Sequence, residues 1–216
     1  MKTRFTPEDL KDQDKFELLT EVSHENLKEF VVQQIAKEKF VITIYSIYQL
    51  AMILLFIFIL TRSIVLAIKG FTETLLFIAI AVFFSFTLLV VIHELLHALA
   101  YFVTGARKIS FGAIPHKFIF YALADRQIIA PRAFRVVALA PFVVVKTVCL
   151  IGIVIYFNQQ LMYSLITVMC LHSLFCAGDI AMLAFYNIYK GKEIYNFDDK
   201  TEGKTYFYRR KLEHKT

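Results

Sequence analysis

"LLVVIHELLHALAYF", Leu88–Phe102, places three ionisable side chains, His93, Glu94 and His97, inside one of the most apolar runs of a 216-residue chain. A plain hydrophobic helix would fill the same space more cheaply. A charge at the centre of a bilayer costs roughly 2.5 to 3.5 kcal/mol on insertion scales, and ionisable groups at such depth usually face a functional interior. Three of them within five residues call for a common partner. The reading of this stretch depends on whether the run around it crosses a membrane.

Composition says that it does. The chain is 58 % hydrophobic and carries 22 Phe with only seven Gly and four Pro. A soluble domain of this length needs a wetter surface. The apolar residues come in blocks. Phe40–Leu60 is uncharged and long enough to cross a hydrocarbon core of about 30 Å. Leu75–Ile92 is uncharged and runs directly into the motif, Val136–Phe157 holds one charge, Lys146, and Leu161–Tyr189 holds one acid, Asp179. These blocks predict an all-α membrane protein with four transmembrane helices.

Positive charge gives the orientation. If the four spans alternate, residues 1–39, 104–135 and 190–216 fall on one face with twenty-one Lys and Arg, against two, Arg62 and Lys69, on the other. The positive-inside rule puts both termini and the central loop in the cytoplasm. The net charge of +6 then reads as topology and attraction to anionic headgroups, and no nucleic-acid partner is expected. No cleavable signal peptide is expected, because a long charged segment precedes the first apolar run. Cys149, Cys170 and Cys176 all fall within spans and read as small apolar residues.

The chain divides into a cytoplasmic arm, residues 1–39, a four-helix membrane domain, residues 40–189, and a basic tail, residues 190–216. "TPED" offers Thr6 as a cap with Pro7 in the first helical turn. The segment Gly105–Pro131 carries "KISFG" and "HKFIFYAL", which resemble strands more than helix. A small strand-like cytoplasmic insertion between the second and third spans is expected, an irregular loop being the alternative. The tail suits the headgroup level and suggests no chemistry.

His93 and His97 are four apart, so on a helix they stack on one face, one turn from each other. With Glu94 they form H-E-x-x-H, in which two neutral imidazoles hold zinc and the Glu is general base. Zinc lowers the pKa of the water it holds to about 7, and the Glu takes the water proton and passes it to the leaving amine. A catalytic zinc normally has three protein ligands. Asp179 is the acid that the other spans offer. Glu94 lies ten residues before Thr104 and Asp179 eleven before Lys190, so on straight helices both sit at similar height. The plainer role for Asp179 is as partner of a Lys or a helix end.

Three more residues stay open. His172, seven before Asp179, is a hydrogen-bonded packing histidine, an alternative ligand, or a group behind the ligands, about 10 Å farther along by helical rise. Lys146 is an oxyanion stabiliser, a partner for an acid, or a structural lysine. Pro141 has no amide hydrogen and should kink the third span, freeing a carbonyl.

"HELLHALAYFVTGA", "FGAIPHKFIFYA", "ALAPFVV" and "GDIAML" together resemble an uncharacterised bacterial family of zincin peptidases, over roughly residues 70–190. An HExxH in one span with an Asp in a later one is also similar to the site-2 intramembrane metalloproteases, although those usually carry an Asn-Pro-Asp-Gly-like stretch where this chain has "CAGDIA". The resemblance implies that His93, His97 and Asp179 bind Zn2+, that Glu94 is catalytic, and that the protein sits as a multi-pass protein in a bacterial cell membrane. The expected activity is zinc-dependent hydrolysis of a peptide bond in or near the bilayer, in a membrane-protein or peptide substrate. Two alternatives stand beside it: a non-enzymatic metal-binding membrane protein (a pseudo-protease or transporter subunit), and an enzyme acting on soluble or lipid-modified peptides.

Overall fold

The computed structural model describes residues 5–26, 29–30, 32–33, 37–114 and 119–211. The chain is mostly helical, with two small antiparallel sheets. It divides into two compact units. One comprises Phe40–His93 and Pro141–Ala177, the other Met1–Lys39, Glu94–Ala140 and Gly178–Thr216.

The first unit is helical. Helix α2, Lys39–Ile68, is apolar on every face and buries only Ile59 and Ser63. Its 30 residues reach about 45 Å at the helical rise. Helix α3, Glu73–Phe86, packs on α6, Gln160–Phe175. Thr74 donates to Gln160 at 2.7 Å and Ser164 to the Phe77 carbonyl at 2.8 Å. Where hydroxyls stay within one helix they return to the backbone, Ser63 to Ile59 O and Ser85 to Ala81 O. Such bonds satisfy a hydroxyl within an apolar helix without water.

Among the described residues two helices, α2 and α5 (Pro131–Ile155), are long and apolar enough to cross a membrane. The count rises to four if α3 with α4 (Leu88–Thr104) and α6 with α7 (Ala177–Ile188) each form one bent span. Both bends fall at defined helix ends. At Thr87 the backbone leaves helical geometry, φ −118° and ψ −86°, and the hydroxyl donates to Phe83 O at 2.8 Å. At Cys176 the helix ends, the Cys176 backbone N–H returning to the carbonyls of His172 and Leu174. A straight fourth span over Leu161–Tyr189 is therefore replaced by two shorter helices.

The second unit joins the chain's two ends. After the short helix α1, Pro7–Leu10, strand β1, Phe16–Ser23, pairs with β5, Lys204–Arg210, which pairs with β4, Ile194–Asp199. Thr6 caps α1, accepting from Asp9 N, and Pro7 opens it. The β4–β5 turn is held by Asp199, whose carboxylate accepts from the amides of Thr201 and Glu202. Gly203 closes it at φ +62°. Phe30, Phe185, Tyr186 and Phe207 build an aromatic core with Ala100, Tyr101, Phe134 and Val137. The strand-like segment after α4 is a hairpin, β2 (Ile109–Ile114) paired with β3 (Ile119–Ala124). Gly112 is required there: a Cβ would meet the Tyr121 ring at 2.3 Å. The expectation of an all-α chain with one strand-like insertion is met as a mostly helical chain, and the three-stranded sheet that arm and tail build together is the addition the sequence did not announce.

Candidate metal centre

Helix α4 presents one buried stripe, Leu89, His93, His97 and Ala100, and turns Leu95, Leu99 and Phe102 outward. The motif's two histidines lie on the buried stripe, 5 % and 8 % exposed, although the flanking leucines are the more apolar. That inverts ordinary partition, in which the leucines would take the interior. Glu94 is half-buried on the same helix.

The hydrogen bonds of His97 fix which of its nitrogens carries the proton. Nδ1 lies 3.0 Å from the carbonyl oxygen of Val137 on α5. A carbonyl only accepts, so Nδ1 is the N–H, and in neutral imidazole Nε2 is left with its lone pair. Val137 O is open to this bond because the residue four on is Pro141, which has no amide hydrogen to return. The kink residue read from the sequence thereby acquires a specific consequence.

His97 Nε2 lies 3.2 Å from an Asp179 carboxylate oxygen. Tetrahedral zinc with bonds of about 2.0 to 2.2 Å holds neighbouring N and O ligands about 3.3 Å apart, so this spacing fits two ligands of one ion. Asp179 is the third residue of α7. The break at Cys176 therefore turns it from a mid-span acid into a first-turn one, where the positive helix end favours a carboxylate. His93, one turn before His97 on α4, shares its face. The donor set, imidazole with carboxylate, suits zinc.

His93 has a neighbour that sequence reasoning placed too far away. Its Nδ1 lies 3.1 Å from His172 Nε2. The expected separation came from counting helical rise along one rod through Asp179, and that rod is broken between α6 and α7. His172 is fully buried, and its Nδ1 lies 3.6 Å from Cys176 Sγ. His93, His172 and Cys176 together offer ligand atoms within 4.8 Å of one another. The signal for this cluster was present in "HSLFCAGD", where His172 and Cys176 stand four apart and so share a helix face.

Lys146 does something else. Its ammonium donates to the Met169 carbonyl and lies 5.5 Å and 5.7 Å from the ring centres of Tyr48 and Phe142. It ties α2, α5 and α6 together, which is the structural option among those its position left open.

The family model described as "putative zincin peptidase" matches residues 86–194. This chain belongs to that zincin peptidase family. The matched region of the zincin-family chain contains His93, Glu94, His97, Val137, Pro141, His172, Cys176 and Asp179. It omits α2 and the strands β1 and β5. No curated protein and no solved structure matches the chain.

Proposed function

We propose that this zincin-family protein is a zinc-dependent, membrane-embedded endopeptidase in which His93, His97 and Asp179 hold the metal and Glu94 is the general base. The observation that carries this reading is His97, with Nδ1 committed to a backbone carbonyl and Nε2 set 3.2 Å from the Asp179 carboxylate. A zinc ion held there supplies Lewis acidity toward water and a peptide carbonyl.

The chain's own residues do the rest. The buried imidazoles ligate as neutral groups, and the Asp179 carboxylate supplies charge that offsets the cation in a poorly screened setting. Glu94, adjacent to His93, takes a proton from the attacking water and returns it to the leaving amine nitrogen, so that the C–N bond breaks to a neutral amine. A substrate span has to unwind locally, because a helical carbonyl is shielded by its own hydrogen bond. The hairpin β2–β3 offers strand edges on which an unwound segment can lie extended.

Membrane embedding rests on the four apolar stretches, with each bent pair taken as one crossing. The bias of Lys and Arg then puts both termini, the hairpin and the tail in the cytoplasm, with the arm, membrane core and tail at 1–39, 40–189 and 190–216. Its substrates are membrane proteins or peptides.

The test pairs metal analysis with cleavage. Purified wild type and Glu94→Gln should carry equal zinc, about one ion per chain. Protein termini generated in membranes of cells making wild type should be missing from cells making Glu94→Gln, since loss of a general base costs about 10²–10⁴-fold. Wild type that takes up no zinc, or identical termini in both strains, rejects the proposal.

A further inference from the structure

His172 is a fully buried imidazole that the proposed reaction does not use. Its Nε2 sits 3.1 Å from His93 Nδ1, with the ring centres 5.2 Å apart and tilted by 55°. The rings are therefore not stacked, and the contact is a hydrogen bond between nitrogens. Cys176 Sγ lies 3.6 Å from His172 Nδ1 and 3.8 Å from its Nε2. Cys176 and His172 are four apart, close to the last turn of α6, so the thiol lies beside the ring by helical spacing.

We propose that His172 is a positioning residue for His93: it accepts the Nδ1 proton of His93 and so leaves His93 Nε2 unprotonated for the metal, with the Cys176 sulfur packed against the His172 ring. The inference rests on the zinc reading above for its functional consequence. One proton bridges the two nitrogens, and it has two possible owners. If His172 Nε2 owned it, neutral His93 would carry its own proton on Nε2 and could not ligate through that nitrogen. If His93 Nδ1 owns it, His172 accepts at Nε2 and carries its own hydrogen on Nδ1. A cation on His93 Nε2 withdraws charge from the ring and makes Nδ1–H the stronger donor. Metal binding therefore selects the second arrangement.

The two motif histidines are then treated alike. Val137 O takes the Nδ1 hydrogen of His97 and His172 Nε2 takes that of His93, so each ring is fixed by its nitrogen away from the metal. Outer partners of this kind orient ligating imidazoles and raise their basicity, and their loss typically costs 10–100-fold in metal affinity. The same cluster could instead hold an ion itself, since its N, N and S atoms lie within 4.8 Å. Sharing His93 between two ions would demand loss of both ring protons, so the hydrogen-bonded role is the one compatible with a neutral imidazole at the zinc.

The experiment uses the full-length protein in nanodiscs with zinc and cobalt as probes. Wild type, His172→Gln, His172→Phe and Cys176→Ser are compared by competition with a chromogenic chelator. The Gln carboxamide oxygen can accept near the position of His Nε2, and the Phe ring cannot. His172→Phe should lose 10–100-fold in zinc affinity, His172→Gln should lie within a few-fold of wild type, and Cys176→Ser should be close to it. Nitrogen-15 spectra of the zinc-loaded wild type should show His93 protonated at Nδ1. A merely structural role would cost His172→Gln and His172→Phe alike, and thermal unfolding of the metal-free proteins identifies that case. Equal zinc affinity in wild type and His172→Phe overturns the inference and leaves the zinc site standing. A thiolate-to-cobalt charge-transfer band that vanishes in Cys176→Ser also overturns it, because the cluster would then be a ligand set. Wild type without zinc overturns the underlying reading and this inference with it.

Discussion

The carbonyl oxygen of Val137 accepts from His97 Nδ1 at 3.0 Å, and it is free to do so because Pro141 has no amide hydrogen for it. A proline inside a helix ordinarily costs about 3 kcal/mol. Here the lost helical bond is replaced by one that orients a proposed zinc ligand. Pro141→Ala restores a competing N–H four residues along. The expected result is a split: thermal stability equal to or above wild type, with zinc affinity about tenfold lower. Unchanged zinc affinity in chelator competition would detach the proline from the metal site.

Asp179 should behave as a ligand, and not as the ion-pair partner of a protonated His97. Asp179→Ala is expected to lower zinc affinity by more than about 100-fold, beyond what loss of an outer partner costs. Asp179→Glu should recover part of it, because a carboxylate persists with one more methylene. The measurement is zinc content after dialysis against graded chelator. Full zinc retention in Asp179→Ala would move the third-ligand role elsewhere.

Lys146 offers a control. Its ammonium is buried against the Met169 carbonyl and the rings of Tyr48 and Phe142. Met169 O lies within α6, so it keeps a helical donor when the lysine is removed. Replacing a buried charge with an apolar side chain of similar length is often neutral or stabilising. Lys146→Met should therefore retain zinc and cleavage, with a melting temperature equal to or above wild type. Loss of cleavage with zinc retained would make Lys146 part of the chemistry.

The sequence was most readable where physical cost was highest. His93, Glu94 and His97 stand out because charges inside "LLVVIHELLHALAYF" need a reason, and Asp179 stands out as the acid of the later spans. The 3.2 Å approach of Asp179 to His97 agrees with a depth argument that placed Asp179 level with Glu94, each counted from the helix end nearest to it. His172 was placed by counting through that bend, and there the argument failed. Hydropathy cannot register Thr87 and Cys176 as breaks, because apolar character runs unbroken through both. The hairpin at Ile109–Ala124 was legible from its aromatic and β-branched alternation. The pairing of β1 with β5 was not: the strands lie at opposite ends of the chain, and the register shift between Leu18 and Thr20 spoils the alternation that would betray β1.

Asp198 on β4 gives a pH signature outside the helices. It is buried, accepts from the Thr205 hydroxyl at 2.6 Å, and lies 4.0 Å from His24 Nε2. Burial pushes its carboxyl up to about 6, against a lowering contribution from the Thr205 hydrogen bond. A raised carboxyl means that the folded state holds the proton more tightly than the unfolded chain. The stabilisation is complete below the unfolded value near 3.8 and fades as pH rises through about 6. Burial lowers His24, and the sign there is opposite: its contribution is lost as pH falls below the usual histidine range. The two can mask each other in wild type alone, so the informative quantity is a difference. Asp198→Asn keeps an acceptor for Thr205 without the charge. Its stability relative to wild type should rise between pH 4 and 6, most steeply midway between the unfolded and folded values at about pH 5, and level off above about 6, in chemical unfolding of the zinc-free protein. A constant difference across that range would mean that Asp198 keeps the same protonation state in the folded and unfolded chains.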